Sequence, residues 1–139
     1  FFHGVVHVVG GRMNISVEER DGHIVITMHE PRFDHALASR FRTRVMDIAK
    51  QNKPVVIDLT AVEFMDSSGL GAIVGLRKRL GWSVRIVLAG LRSPVFRVFE
   101  LAKMTGVFSF FTSVDAALNR TGGDSERWET APKQQAANG

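Results

Sequence analysis

The sequence predicts a single α/β domain: a mixed, mostly parallel β-sheet with an N-terminal β-hairpin and flanking α-helices. Three observations carry that expectation. Apolar residues alternate on either side of Asp21-Gly22, and short apolar runs of strand length then alternate with segments of helical period. At 139 residues, 45% hydrophobic and 23% charged, the chain can hold one modest core but not two.

The elements follow in chain order. Ile15 and Val17, then Ile24, Ile26 and Met28, recur with period two around Asp21-Gly22, the strongest short-range hairpin signal. After Pro31 the period changes. Leu37, Phe41, Val45 and Ile48 fall on one face of an amphipathic helix, with Asp34 placed to cap its start and Asn52 to Pro54 to end it. Arg40, Arg42, Arg44 and Lys50 take up much of the other surface.

Residues 55–59, Val-Val-Ile-Asp-Leu, are too few for a comfortable helix and nearly continuously apolar, which suits a central strand covered on both faces. A helix then opens at 66–71 and continues through Leu80, with Leu70, Ile73, Val74 and Leu80 as its buried contacts and Gly81 as its stop. A strand over 83–88, a helix from Ser93-Pro94 to Met104, a strand over 107–111 and a short helix over 114–120 complete the rhythm. Ser93 is the expected cap, Pro94 sits in the first turn, and Thr105-Gly106 supplies the exit. Strands alternating with helices imply right-handed crossovers between parallel neighbours.

Composition narrows the function classes. With no cysteine, neither a disulfide framework nor a thiolate metal site can form, and a reducing cytoplasmic location is the simpler expectation. Lys and Arg number 18 against 14 Asp and Glu, a net +4, but the basic residues are spread over several helices, which reads as solvated helix surface and not as a nucleic-acid interface. No apolar run approaches the ~18 residues of a membrane-spanning helix, so no direct membrane insertion is expected. Residues 1–12 hold Val5, Val6, Val8 and Val9 but lack the charged start and cleavage site of a signal peptide; strand patterning begins directly after Met13, so 1–12 read as an added leader and 13–121 as the domain. Residues 122–139 are polar, with Trp128 as the one large apolar side chain, and read as a disordered tail.

The segment most able to carry chemistry is Asp66-Ser67-Ser68-Gly69-Leu70-Gly71, a hydroxyl-rich turn between the apolar strand and the helix it opens. Backbone donors point outward at such a junction and favour an anion, including a phosphate placed on a serine. The same residues also suit plain helix capping.

The run Val56-Ile57-Asp58-Leu59, followed by Phe64-Met65 and the hexapeptide, resembles the signature of STAS domains, specifically of bacterial anti-sigma factor antagonists. The resemblance extends over 14–121, because the hairpin, the Phe33-Asp34-His35 helix start and the Ser93-Pro94 helix stand in the family's order. It implies a STAS-like fold and a phosphorylation-controlled binding module without a cofactor or metal. The first serine after the aspartate, here Ser67, would be the acceptor. The implied partners are an anti-sigma factor that is also a serine kinase, and a serine phosphatase that resets the switch. The implied docking surface is Asp34, His35, Asp66, Ser67, Ser68, Gly69, Leu70 and Gly71.

Within that surface several residues have two readings. Asp34 is either a kinase contact or a helix cap, Asp66 orients the acceptor or ends the preceding strand, and Ser68 caps or docks. Gly69 and Gly71 leave room for a partner's close approach. The alternative role is a static STAS accessory subunit of a transporter or sensory complex. An enzyme is not expected: Ser67 lacks a G-x-S-x-G elbow, no lysine follows the glycines in Walker order, and the His3/His7 pair falls in the leader. Gly75 reads as a tight helix-packing position, Arg77-Lys78-Arg79 as a solvated C-terminal turn, and Phe96, Phe99, Phe108, Phe110 and Phe111 as mostly core, with room for one or two in a docking groove.

Overall fold

The computed structural model describes residues 14–119. The suspected leader, the polar tail and Arg120 lie outside them, and the last helix ends at Leu118, short of the 120 expected. The chain opens with strands β1 (Ile15–Arg20) and β2 (His23–Met28), paired antiparallel with Val17 opposite Ile26 and Arg20 opposite His23. Their two-residue loop has φ of 51° at Asp21 and 78° at Gly22. Positive φ at both central positions gives the turn whose twist matches that of the flanking strands, which is why Asp-Gly marks it.

The remaining elements are β3 (Arg32–Phe33), α1 (His35–Val45), a 3-10 turn (Ile48–Gln51), β4 (Val55–Asp58), β5 (Phe64–Met65), α2 (Ser67–Leu80), β6 (Ile86–Ala89), α3 (Ser93–Leu101), β7 (Ser109–Phe111) and α4 (Val114–Leu118). The main sheet has the order β1-β2-β4-β6-β7, parallel from β2 onward. Its hairpin, its mostly parallel character and its alternation with helices match the sequence reading.

The two faces of the sheet carry unequal cores. On one face Ile24, Ile26, Val55, Ile57, Ile86 and Leu88 pack with Phe41 of α1, Ile73 and Leu76 of α2 and Phe99 of α3. On the other, among the described residues, Val25, Val56, Val87 and Phe111 pack with Ala116 and Ala117 of α4 and with its Val114 and Leu118. Val55, Val56 and Ile57 are all buried, so the central strand is covered on both sides as its continuous apolar run predicts. The five phenylalanines expected in the core are all buried, and Phe99 meets Phe108 and Phe110 edge-on at 5.8 Å; none is left for a docking groove.

Several boundaries differ from the sequence reading: β6 and β7 begin at Ile86 and Ser109, later than the 83 and 107 expected, and three helix ends change as well. Helix α1 ends at Val45, and Ile48 reaches the same core from the separate 3-10 turn, which Asn52 closes with a left-handed φ of 55°. Ser93 is not a cap. The backbone carbonyl of Arg92 accepts from Val95 and Phe96, making Arg92 the capping position without side-chain help and Ser93 the first helical residue. The exit of α3 comes earlier than Thr105-Gly106. Lys103 takes φ of 59°, its N–H donates to Glu100 O and that of Met104 to Phe99 O, the paired bonds of a Schellman motif.

The element that positions the candidate site is one the periodicity does not show. Strands β3 and β5, two residues each, pair in parallel with Arg32 opposite Phe64 and Phe33 opposite Met65. One step further along each strand stand Asp34 and Asp66, the residues that begin α1 and α2.

Candidate functional site: two aligned helix starts

The short β3/β5 pair sets the starts of α1 and α2 side by side, with the Asp66 N–H donating to Phe33 O at 3.4 Å. Both aspartates are extended at the junction and both are N-caps. Asp34 Oδ1 accepts from Leu37 N at 3.3 Å, and Asp66 Oδ1 accepts from Ser68 N at 2.9 Å and Gly69 N at 3.1 Å. Two of the otherwise unpaired donors of α2 are thus satisfied by one carboxylate.

This arrangement revises the roles of the serines. Ser68 was a candidate cap, but its own N–H is one of those bound by Asp66, and its side chain is half-buried. Ser67 occupies the first helical position, is exposed, and its hydroxyl makes no hydrogen bond among the described residues. A carboxylate that does the capping leaves the neighbouring hydroxyl free. His35, also exposed, takes the equivalent first position of α1, so the Asp-His and Asp-Ser pairs form matching corners of one surface.

The two glycines of the motif separate. A Cβ on Gly69 would lie 2.5 Å from Phe33 O and 3.0 Å from the Phe33 ring, so Gly69, which is buried, lets α2 close onto its own β3 strand. The expectation that it clears space for a partner is corrected on that ground. Gly71 is exposed, and its nearest neighbour is Arg42 Nη2 at 3.9 Å from an added Cβ. Leu70 is half-buried against the main core, as is Val74.

Two further expectations on α2 are corrected. Gly75 is exposed and an added Cβ would meet nothing within 4 Å, so tight packing is not its reason for being glycine. Arg77 is not part of a solvated turn. It is 6% exposed, donates to the carbonyls of Gly81 and Val84, and stacks 5.0 Å from the centre of the Trp82 ring, leaving Lys78 and Arg79 in solvent. Burial lowers its pKa from the ordinary arginine value, yet a guanidinium remains cationic.

One neighbour of the motif escapes a sequence reading. Phe64 is 40% exposed and carries the guanidinium of Arg32 at 4.3 Å from its ring centre, while Arg32 Nε lies 3.8 Å from Asp34 Oδ2. A cation–π pair and an ion pair therefore link the starts of both helices at the rim of the site. Phe64 stands in the run that resembles the family signature, but its exposure follows only from the two-residue strand β5. Among the described residues no group of three His, Asp or Glu could hold a metal ion, and no helix is long and apolar enough to cross a membrane.

Comparison with known proteins agrees with this architecture. The family described as STAS domain matches residues 14–117. The anti-sigma-B factor antagonist of Listeria monocytogenes is 32% identical over 112 residues, covering 77% of this chain and 96% of that protein. The anti-sigma F factor antagonist of Paenibacillus polymyxa is 30% identical over 112 residues, covering 77% and 92%. Among solved structures, the Bacillus cell fate determinant SpoIIAA in its phosphorylated form superposes with a TM-score of 0.61 at 20% identity, over 76% of this chain and 97% of that one.

Proposed function

The chain belongs to the STAS domain family, among the anti-sigma factor antagonists, and on that footing we propose that it is a phosphorylation-controlled antagonist of an anti-sigma factor. Unphosphorylated, it binds an anti-sigma factor that is also a serine kinase, and so frees that protein's target. Phosphorylated at Ser67 it lets go, and a serine phosphatase resets it. In this cycle the chain is a substrate and a binding module, not a catalyst.

The observation that carries the reading is the free, exposed Ser67 hydroxyl beside a cap that does not need it. A kinase can reach that oxygen without opening the helix. The phosphate would bring about −1.5 to −2 charges to a helix start, where the macrodipole tolerates them, while the adjacent Asp66 opposes them. The fold is therefore expected to stay intact while the surface changes. A partner seated over Asp34, His35, Asp66, Ser68, Leu70 and Gly71 would have to desolvate a dianion, and release follows. A Bacillus protein with this fold has been solved in a phosphorylated form, which is in keeping with this reading.

The test is affinity capture from native-host lysate with the wild-type chain, Ser67→Ala and Ser67→Glu as baits, read by mass spectrometry with phosphosite mapping. The expected result is a kinase-like protein held by the alanine bait, lost from the glutamate bait, with Ser67 phosphate on the wild type. Identical partner sets and an unmodified Ser67 would overturn the switch and favour a static accessory role.

A further inference from the structure

Helices α1 and α2 enclose a groove that their own side chains do not fill. It has a volume of about 290 Å³, a floor of Val45, Met46, Ala72 and Leu76, and a rim formed by Arg42 and Arg79. Met46 is 50% exposed there, and Gly75 lines the wall with no atom within 4 Å of where its Cβ would stand. A mid-helix glycine costs about 1 kcal/mol relative to alanine, and internal packing does not account for this one. The groove is open to something outside the described residues.

Charge indicates what would occupy it. Between them α1 and α2 carry Arg40, Arg42, Arg44, Arg77, Lys78 and Arg79 and no Asp or Glu. Neither Arg42 nor Arg79 has a carboxylate partner among the described residues. Basic residues in the last turn of each helix complement the macrodipole, but that explains neither the apolar floor nor Arg42's position over Gly71. An apolar slot with unpaired arginines at its rim is complementary to an amphipathic segment with an apolar anchor flanked by carboxylates. Nucleic acid fits less well, because the floor offers aliphatic and thioether surface instead of aromatic stacking platforms.

The groove also lies on the proposed switch face. Ser67, Gly71 and Gly75 are all exposed and recur every four residues, so they follow one stripe of α2, with Gly75 ~12 Å along the axis from Ser67. We propose that the α1/α2 groove is a docking site for an acidic amphipathic segment of the partner protein, anchored by one apolar side chain over Gly75 and held by Arg42 and Arg79. This deepens the partner reading above by giving the partner's contact its chemistry, and it is testable apart from phosphorylation.

The experiment is a titration of the ¹⁵N-labelled full chain, followed by amide chemical shifts. The probes are a synthetic amphipathic helical peptide with leucines on one face and glutamates on both flanks, its glutamate-to-lysine counterpart, and a single-stranded oligothymidine. The acidic peptide is expected to shift the amides of Thr43 to Met46 and Ala72 to Leu76 saturably, with the lysine peptide silent. Gly75→Leu, which fills the slot, and the double variant Arg42→Glu/Arg79→Glu are each expected to weaken that binding at least about tenfold, and Asp115→Asn, an exposed change on α4 across the sheet, to leave it unchanged. No saturable shift, equal shifts with the lysine peptide, or insensitivity to both variants would overturn the proposal. Equal or stronger shifts of the same amides by oligothymidine would also overturn it and assign the groove to nucleic acid. Failure here with a working Ser67 switch, or the reverse, separates this proposal from the preceding one.

Discussion

The two ends of α2 are secured in opposite ways. At its start, a partly buried carboxylate accepts from Ser68 and Gly69 and leaves the next side chain, Ser67, in water. At its end, the buried Arg77 reaches past the helix to the carbonyls of Gly81 and Val84, while the Gly81 N–H closes back on Arg77 O. One end is held by a short local cap, and the other is tied to the chain that leads into β6. The lesson is that an exposed, unbonded hydroxyl can sit at the first position of a helix because neither end depends on it.

That contrast can be broken by removing what holds each end. The largest effect is expected for Gly69→Val, whose Cβ would meet the Phe33 carbonyl at 2.5 Å. Backbone cannot step aside as a flexible side chain can, so a loss of about 3 kcal/mol is expected as a lower urea midpoint. Arg77→Ala follows at about 2 kcal/mol, because the Gly81 and Val84 carbonyls lose their shared donor. Its hydrogen-exchange signature should appear at the C-terminal turn of α2 and leave the Ser67 end protected.

Smaller changes sharpen the comparison. Asp66→Ala is expected to cost about 1 kcal/mol and to expose the Ser68 and Gly69 amides to faster exchange, whereas Asp66→Asn should recover most of the loss. Equal exchange rates in Asp66→Ala and wild type would contradict the capping role. Gly75→Ala is expected to raise stability by about 0.5–1 kcal/mol, since its Cβ meets nothing; a destabilised variant in thermal melts would mean that the position is packed after all.

Much of the fold is legible along the chain because its signals are local. Asp21-Gly22 specifies its turn through backbone sterics, and the unbroken Val55 to Ile57 run announces a strand covered on both faces. Other features depend on neighbours far apart in sequence. Two-residue strands such as β3 and β5 are too short to show a period, although they align the starts of α1 and α2. Asp66 and Ser67 are both good capping residues in the abstract, and only backbone geometry decides that the aspartate caps and the serine stays free. Gly69 and Gly75 look alike in a helix, yet one is pressed against Phe33 and the other faces an open groove. Arg77 looks like its neighbours Lys78 and Arg79 until its helix face is known.

The central claim is that charge on Ser67 switches binding without disturbing the fold. The most direct measurement is the dissociation constant of the chain for the captured anti-sigma factor, before and after stoichiometric phosphorylation of Ser67, with an amide spectrum recorded for each form. The account expects affinity to fall at least about 100-fold, or about 2.8 kcal/mol, while shift changes stay near the first turn of α2. Unchanged affinity with Ser67 fully phosphorylated, or release accompanied by loss of the folded spectrum, would contradict it.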